Sequence, residues 1–320
     1  MAATTNAIPL ADIRAARERI AGSVIRTPLV RLNVDDVPAE IYLKLENLQP
    51  IGSFKLRGAG NKIALASKDE LSQGVYTASA GNMAQGVAWH ARRLGIPCTV
   101  VVPDNAPETK LAAITRLGGK IIKVSHDDWW QVIVTHHFEG LDGLFVHPVS
   151  DPAVMAGNGT IGLEILEDLP DVDTIVIPYG GGGLSSGIAS AVRALKPQTK
   201  IYACEVATSA ALAAALSAGE IRQIEYIPSF VDGIGSSGVL ADMWPLVRSL
   251  IDGSLVASLS EVAAAIRLLA ERNRVIAEGA GATSLATALT GKAGSGKVVC
   301  VISGGNIDLS KLTRIFQEDI

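Results

Sequence analysis

The stretch Thr174-Ile175-Val176-Ile177-Pro178-Tyr179-Gly180-Gly181-Gly182-Gly183-Leu184 decides the fold class. Its first four residues form a short apolar run rich in β-branched side chains, and an amphipathic segment over 184–195 follows, so the glycines occupy a strand-to-helix junction. Open α/β sheets place their ligands at such junctions. A tight turn needs one or two glycines. Four in succession let backbone N–H groups converge, and the helix N-terminus adds its positive end, which together make a cradle for a phosphate. No Lys-Ser/Thr pair follows, so the loop is not of the nucleoside-triphosphate type. Gly181, Gly183 and Ser186 approximate a dinucleotide-binding pattern, with Glu205 about 20 residues on, where a ribose-binding acid would stand. The third glycine of that pattern is missing, and an NAD-dependent oxidoreductase stands as the rival reading.

Short β-branched runs alternate with amphipathic segments along most of the chain. Strands are predicted over 41–45, 75–78, 98–102, 120–124, 174–178, 200–206 and 297–303, and helices over 82–94, 107–117, 184–195 and 261–276. Repeated strand–helix–strand units imply right-handed crossovers and mainly parallel sheet, an α/β fold. Strand and helix alternate three times at short intervals through VYTA, CTVVV and KIIKV, enough for a small sheet of its own. Residues 74–147 are therefore predicted to form a small domain inserted in a larger one built from 1–73 and 148–320, with the ligand site in the cleft between them.

Composition narrows the function. The chain has 320 residues, 48% of them apolar, with 32 glycines and 14 prolines, which suits a well-cored globular protein and excludes collagen-like and disordered classes. A net charge of −4 without any basic run argues against nucleic acid or an anionic membrane as partner and favours a small molecule. Cys98, Cys204 and Cys300 stand far apart with no C-x-x-C spacing and read as reduced, buried thiols. Arg14, Arg17, Glu18 and Arg19 interrupt the N-terminal region, and no stretch approaches the ~18 uncharged apolar residues of a membrane span. A soluble, cytoplasmic protein is expected. His90, His126, His136, His137 and His147 show no metal spacing and read as structural or surface groups, and no metal is expected.

Three further glycine-centred segments fall at predicted junctions. In Gly52-Ser53-Phe54-Lys55-Leu56-Arg57-Gly58-Ala59, Ser53 can cap a helix and Lys55 lies in its first turn, beside Phe54 and Leu56. Desolvation there would lower the lysine pKa and leave a nucleophilic amine. Ser79-Ala80-Gly81-Asn82-Met83-Ala84-Gln85-Gly86 follows the strand VYTA and opens a helix; its N–H groups and the Ser79 hydroxyl suit a carboxylate. Ser303-Gly304-Gly305-Asn306 follows KVVCVI, where a hydroxyl at the strand end can meet a ring nitrogen or an oxygen.

Together QPIGSFKLRGA, SAGNMAQGVA, GGGGLSSG and SGGN, in this order, with TPLVRL (27–32) and PAVMAGNGTIGLEIL (152–166), resemble the pyridoxal-phosphate enzymes of fold type II, in the serine/threonine dehydratase and serine racemase branch. The resemblance spans essentially the whole chain. It implies a two-domain α/β fold like that of the tryptophan synthase β chain, pyridoxal phosphate as cofactor and, usually in this family, a homodimer. Lys55 matches the Schiff-base lysine, and Gly180, Gly181, Gly182, Gly183 and Leu184 match the phosphate loop. Phe54 would flank the ring, Asn82 would bond its 3-oxygen, and Ser303 would face the pyridine nitrogen, with Glu278 also on the cofactor side. Ser79, Ala80, Gly81, Asn82, Met83 and Asp232 would line the substrate. The implied reaction is loss of water from a β-hydroxy-α-amino acid, followed by hydrolysis to a 2-oxo acid and ammonia, with Lys55 taking the α-proton.

Departures from the pattern discriminate within the family. Racemising members carry a second serine where this chain has Ala80, which points to elimination. Met83 replaces the usual histidine, and a polarizable thioether there would favour an apolar β-substituent, as in threonine or phenylserine, over 3-hydroxyaspartate. Metal-dependent relatives use a glutamate, a carbonyl and an aspartate where this chain has Glu205, Ser209 and Ala211; the missing aspartate argues against a divalent ion. Tyr179 is unusual before the glycines and is read as a substrate-side group. Serine racemase, 3-hydroxyaspartate dehydratase, β-replacement of the cysteine synthase type and a catalytically dead amino-acid-binding module are the alternatives. The end of the chain at Ile320 leads to the expectation that no isoleucine-sensing regulatory domain follows.

Overall fold

The computed structural model describes residues 7–318. Ten strands are formed among the described residues: β1 (Leu29–Arg31), β2 (Glu40–Lys44), β3 (Val75–Ala78), β4 (Cys98–Pro103), β5 (Lys120–Val124), β6 (Leu144–Phe145), β7 (Thr174–Pro178), β8 (Lys200–Val206), β9 (Gly253–Ala257) and β10 (Lys297–Val301). Twelve α-helices accompany them: α1 (Leu10–Ile20), α2 (Lys55–Leu65), α3 (Asn82–Leu94), α4 (Glu108–Arg116), α5 (His126–Thr135), α6 (Pro152–Asp168), α7 (Gly183–Leu195), α8 (Ala211–Ala218), α9 (Trp244–Leu250), α10 (Leu259–Leu268), α11 (Gly279–Leu289) and α12 (Leu309–Phe316). The α/β architecture expected from the sequence is the one observed.

The strands form a six-stranded sheet, β1-β2-β10-β7-β8-β9, and a four-stranded sheet, β5-β4-β3-β6. Every pairing is parallel except β1 with β2. Strands β7 and β10 are buried almost throughout, which is why each reads as a continuous apolar run rather than an alternating one. One core cluster on the large sheet gathers Ile161, Ile175, Ile177 and Val299, while a second gathers Ile41, Val176, Leu285 and Val298. The period of two along each parallel strand sends neighbouring side chains into opposite layers. The small sheet is covered by α3 through Met83, Val87 and Ala91, together with Ala59 and Ile63 of α2 and Val154 of α6.

Parallel order brings the functional segments to one edge. Strands β2, β10 and β7 are neighbours, so the Lys55 turn, the Ser303 loop and the tetraglycine loop all leave from their C-terminal ends. Strands β1 and β6, of three and two residues, are too short to show a pattern in the sequence, and the five-residue β9, GSLVA, is also not among the predicted strands. The helix predicted over 261–276 is shorter: a Ser258/Glu261 capping box starts α10, and a π-turn over Leu269–Asn273 with Arg274 at φ 59° ends the helical run.

Candidate active site

The turn before Lys55 is tied to the loop after β10. Phe54 N–H donates to the Ser303 carbonyl at 3.0 Å, Gly305 N–H donates to the Gly52 carbonyl at 2.9 Å, and Ser53 bridges Gly304 in antiparallel fashion. Helix α2 is then locked from behind by Arg57, which is 1% exposed. Its guanidinium donates to Glu46 at 2.8 Å and to Glu164 of α6 at 2.7 Å, and Lys44 Nζ also donates to Glu164 at 2.6 Å. Two buried carboxylates face two buried cations, so the cluster holds its charge in apolar surroundings through complete pairing.

Lys55 is the first residue of α2, and its Nζ donates to the Pro148 carbonyl at 2.6 Å while lying 5.2 Å from the Phe54 ring centroid. Burial pushes its ammonium down to about 8, against the opposing pull of the Glu278 charge. The next residue, Val149, packs on the tetraglycine loop. A β-carbon on Gly181 would lie 2.6 Å from Val149 Cγ2, and one on Gly183 would lie 2.7 Å from the Val149 carbonyl. Glycine is therefore required at both positions by close approach. At Gly182 the requirement is conformational, since its φ of +96° lies in the left-handed region. Helix α7 starts there without a side-chain cap, and among the described residues the N–H groups of Gly180 to Leu184 donate no hydrogen bond. The start of a helix with free amides is an anion site.

The third part of the site is a carboxyl–amide network. Asn82 Nδ2 donates to Glu278 Oε1 at 2.8 Å, and Asn306 Nδ2 donates to Asn82 Oδ1 at 2.8 Å and to the Ile51 carbonyl at 2.8 Å. Burial, with the Asp232 charge second, raises the Glu278 carboxyl to about 7. A side chain on Gly304 would run into Glu278 Oε1. Ser303 is buried at the end of β10. Gly81 N–H donates to Ser79 Oγ at 3.2 Å, and the space where a Gly81 side chain would stand is open. A cavity of about 210 Å³ opens beside Glu278 and Asn306, with Gln85, Lys110, Asp232 and Lys311 on its walls.

Residues 20–304 match the family described as pyridoxal-phosphate dependent enzyme. The chain belongs to that family. Among curated proteins, it is 42% identical to the L-threonine ammonia-lyase of Thermotoga maritima over 98% of this chain and 79% of that one, and 39% identical to the catabolic L-threonine dehydratase of Escherichia coli over 96% of each. Among solved structures, maize serine racemase superposes with a TM-score of 0.88 at 34% identity, covering 98% of both chains, and the processed threonine deaminase isoform 2 of Solanum lycopersicum with 0.87 at 33%, covering 96% of this chain and 86% of that one.

The residues of this pyridoxal-phosphate enzyme fit its cofactor. A half-buried amine with a depressed pKa suits an aldehyde, and unpaired amides at a helix start suit a phosphate. The rival dinucleotide reading is set aside, since both carboxylate oxygens of Glu205 are already engaged: they accept from Leu212 N–H at 2.7 Å, from Ala213 N–H at 2.8 Å and from Ser254 Oγ at 2.6 Å. The same carboxylate was the first position of the metal pattern, and here it caps α8.

The structure brings Lys55, Phe54, Ser303 and Glu278 together with Asn82, and the Pro148–Val149 strap joins them to the glycine loop. Met83 is a correction: it is 1% exposed and packs with Ala59, Ile63 and Val87, because the second residue of α3 falls on the face that covers the small sheet. It presents no wall to the cleft. Tyr179 is likewise buried, packing with Met243 and Val247 in the core, with its hydroxyl unpartnered. Asp232 stands at the cavity rim, but its carboxylate is paired with Lys110 of α4 at 2.9 Å and Lys311 of α12 at 3.3 Å. Pro148 and Val149 were not legible as site residues, since nothing in a Pro-Val pair signals that its backbone meets a lysine from elsewhere. The SGGN motif does not by itself assign Asn306 a role; in the structure its amide orients Asn82.

Proposed function

We propose that the protein eliminates water from a β-hydroxy-α-amino acid of the threonine/serine type, giving a 2-oxo acid and ammonia. The observation that carries this reading is the Lys55 amine held by the Pro148 carbonyl, with the next residue, Val149, packed on the tetraglycine loop whose amides are free; burial lowers that amine to about 8. Lys55 would hold the aldehyde carbon of the cofactor, Gly180 to Leu184 its phosphate, Phe54 one face of its ring and Ser303 its ring nitrogen, with Asn82 and Glu278 at the 3-oxygen side. Pyridoxal phosphate supplies an electron sink that weakens the bonds at the substrate α-carbon. Lys55 Nζ, whose lowered pKa makes the neutral amine more available, would be the base that takes the substrate α-proton. The backbone around Ser79, Ala80 and Gly81 would grip the substrate carboxylate through N–H groups at the start of α3. Ser303, a hydroxyl rather than a carboxylate, would leave the ring nitrogen unprotonated and would favour loss of the β-hydroxyl.

Ala80 offers no hydroxyl to return a proton from the opposite face, which supports elimination over racemisation. The reading extends to a small inserted domain over 74–147, a larger domain from 1–73 with 148–320, and a cytoplasmic homodimer. The three cysteines, all free and buried, support a reducing compartment. No helix among the described residues is long and apolar enough to cross a membrane.

The test is an assay of 2-oxo acid and ammonia from L-threonine, L-serine, phenylserine and 3-hydroxyaspartate, in both stereochemical series, with wild-type protein and Lys55→Ala. Wild-type protein should bind pyridoxal phosphate with a visible band that borohydride abolishes, and Lys55→Ala should lose both band and activity. A protein that cannot be reconstituted with the cofactor, or a Lys55→Ala variant that still releases ammonia, would overturn the reading.

A further inference from the structure

His147 lies outside the site described so far, yet it organises the segment on which that site depends. The ring is 2% exposed. Its Nδ1 accepts from Val149 N–H at 3.0 Å and from Ser150 N–H at 2.7 Å, while its Nε2 stands 3.2 Å from the Ile133 carbonyl of α5. A carbonyl only accepts, so Nε2 carries the proton and Nδ1 is the bare acceptor. One acceptor that takes the N–H groups two and three residues ahead is the pattern by which Asn and Asp fix tight turns. It sets the path of 147–150. That path points the Pro148 carbonyl at Lys55 Nζ and lays Val149 against Gly181 and Gly183. The ring thus stands behind both halves of the cofactor site at once. Burial and the neighbouring His136 hold the imidazole well below its usual range, at about 4, which keeps Nδ1 free to accept.

We infer that His147 is a positioning residue: its neutral Nδ1 fixes the 147–150 turn and through it the placement of Lys55 and of the tetraglycine loop. The inference rests on the proposed role of those two elements in holding pyridoxal phosphate.

Two substitutions separate the turn role from simple packing. In His147→Asn, Oδ1 takes the place of Nδ1 and can accept the same two amides. In His147→Gln, the amide reaches the place of Nε2 and can serve only the Ile133 side. Each apoprotein is titrated with pyridoxal phosphate by its visible band, and its thermal unfolding is recorded without cofactor. His147→Asn should bind within a few-fold of wild type, whereas His147→Gln should bind about 10-fold or more weakly, the scale seen when an orienting hydrogen bond behind a ligand is removed. The apoprotein midpoints should lie close together. Equal loss in both variants, or wild-type affinity in His147→Gln, overturns the inference. If His147→Gln does not fold, His147→Asn decides alone: near-wild-type affinity supports the turn role and a 10-fold loss at an unchanged midpoint overturns it. A wild-type protein that develops no band at all would instead defeat the proposed function.

Discussion

Asn82 Nδ2 lies 2.8 Å from Glu278 Oε1, joining two residues 196 positions apart beside the cavity that Glu278 lines. The amide donates to the carboxyl in either protonation state but more strongly to the ionised one, so this bond opposes the upward shift without cancelling it. Burial raises the Glu278 carboxyl to about 7. Between the ordinary carboxylate range and that value the folded protein keeps a proton that the unfolded chain has released. Stability from this group is therefore present at low pH and lost as pH rises through about 7. Glu278→Gln keeps the acceptor and removes the titration. Urea unfolding at about pH 5 and about pH 8 should show a larger loss of stability for wild type than for Glu278→Gln; identical pH dependence would contradict the assignment.

Lys55 titrates in the opposite sense. Its folded pKa of about 8 lies below the usual lysine value, so the folded state favours the neutral amine, and that contribution is lost as pH falls through about 8. Attachment of pyridoxal phosphate to the apoprotein, followed by stopped-flow absorbance, should speed up about tenfold per pH unit below pH 8 and level off above it. A rate that keeps rising toward the ordinary lysine range would refute the desolvated amine.

Gly182 sits at φ +96°. Gly182→Ala should cost about 1–3 kcal/mol of backbone strain, read by denaturant unfolding. It should also weaken pyridoxal phosphate more than pyridoxal, which lacks the phosphate. Equal weakening of the two ligands would show that the loop does not hold the anion.

Arg57 pairs with Glu46 and Glu164 in the buried cluster beneath α2. Arg57→Met leaves two carboxylates facing Lys44 alone and should destabilise the fold by about 3–5 kcal/mol. Asp232→Asn, by contrast, removes a partly exposed pair with Lys110 and Lys311 and should cost less than about 1 kcal/mol. Urea midpoints for the two variants give the comparison directly, and similar losses would mean that the buried cluster does not anchor α2.

Met83 packs in the core over the small sheet. Met83→His would bury an imidazole among aliphatic side chains and should cost about 1–3 kcal/mol. The ranking of threonine, phenylserine and 3-hydroxyaspartate should stay as in wild type. A reordered ranking would restore Met83 to the substrate wall.

The motifs were legible because each is a backbone requirement written in residue type. Gly181 and Gly183 have no side chain because Val149 occupies the space, and the apolar runs of β7 and β10 reveal strands buried on both faces. Met83 and Tyr179 were misread because nothing at one position tells whether a helix start or a loop residue turns to the cleft or to the core. That depends on which face of α3 covers the small sheet and on how α9 packs over α7.

The sequence by itself determined the α/β class, which follows from local periodicity, and the family, which follows from the resemblance of its four glycine-centred motifs; it also marked Lys55 and the glycine loop as candidates. Only the tertiary structure decided what surrounds them. The Pro148 carbonyl at Lys55 and Glu278 beside Asn82 are contacts between segments 93 and 196 positions apart, made by the order in which parallel strands meet at one sheet edge. Their energy comes from burial and hydrogen bonding that exist only after the chain has folded.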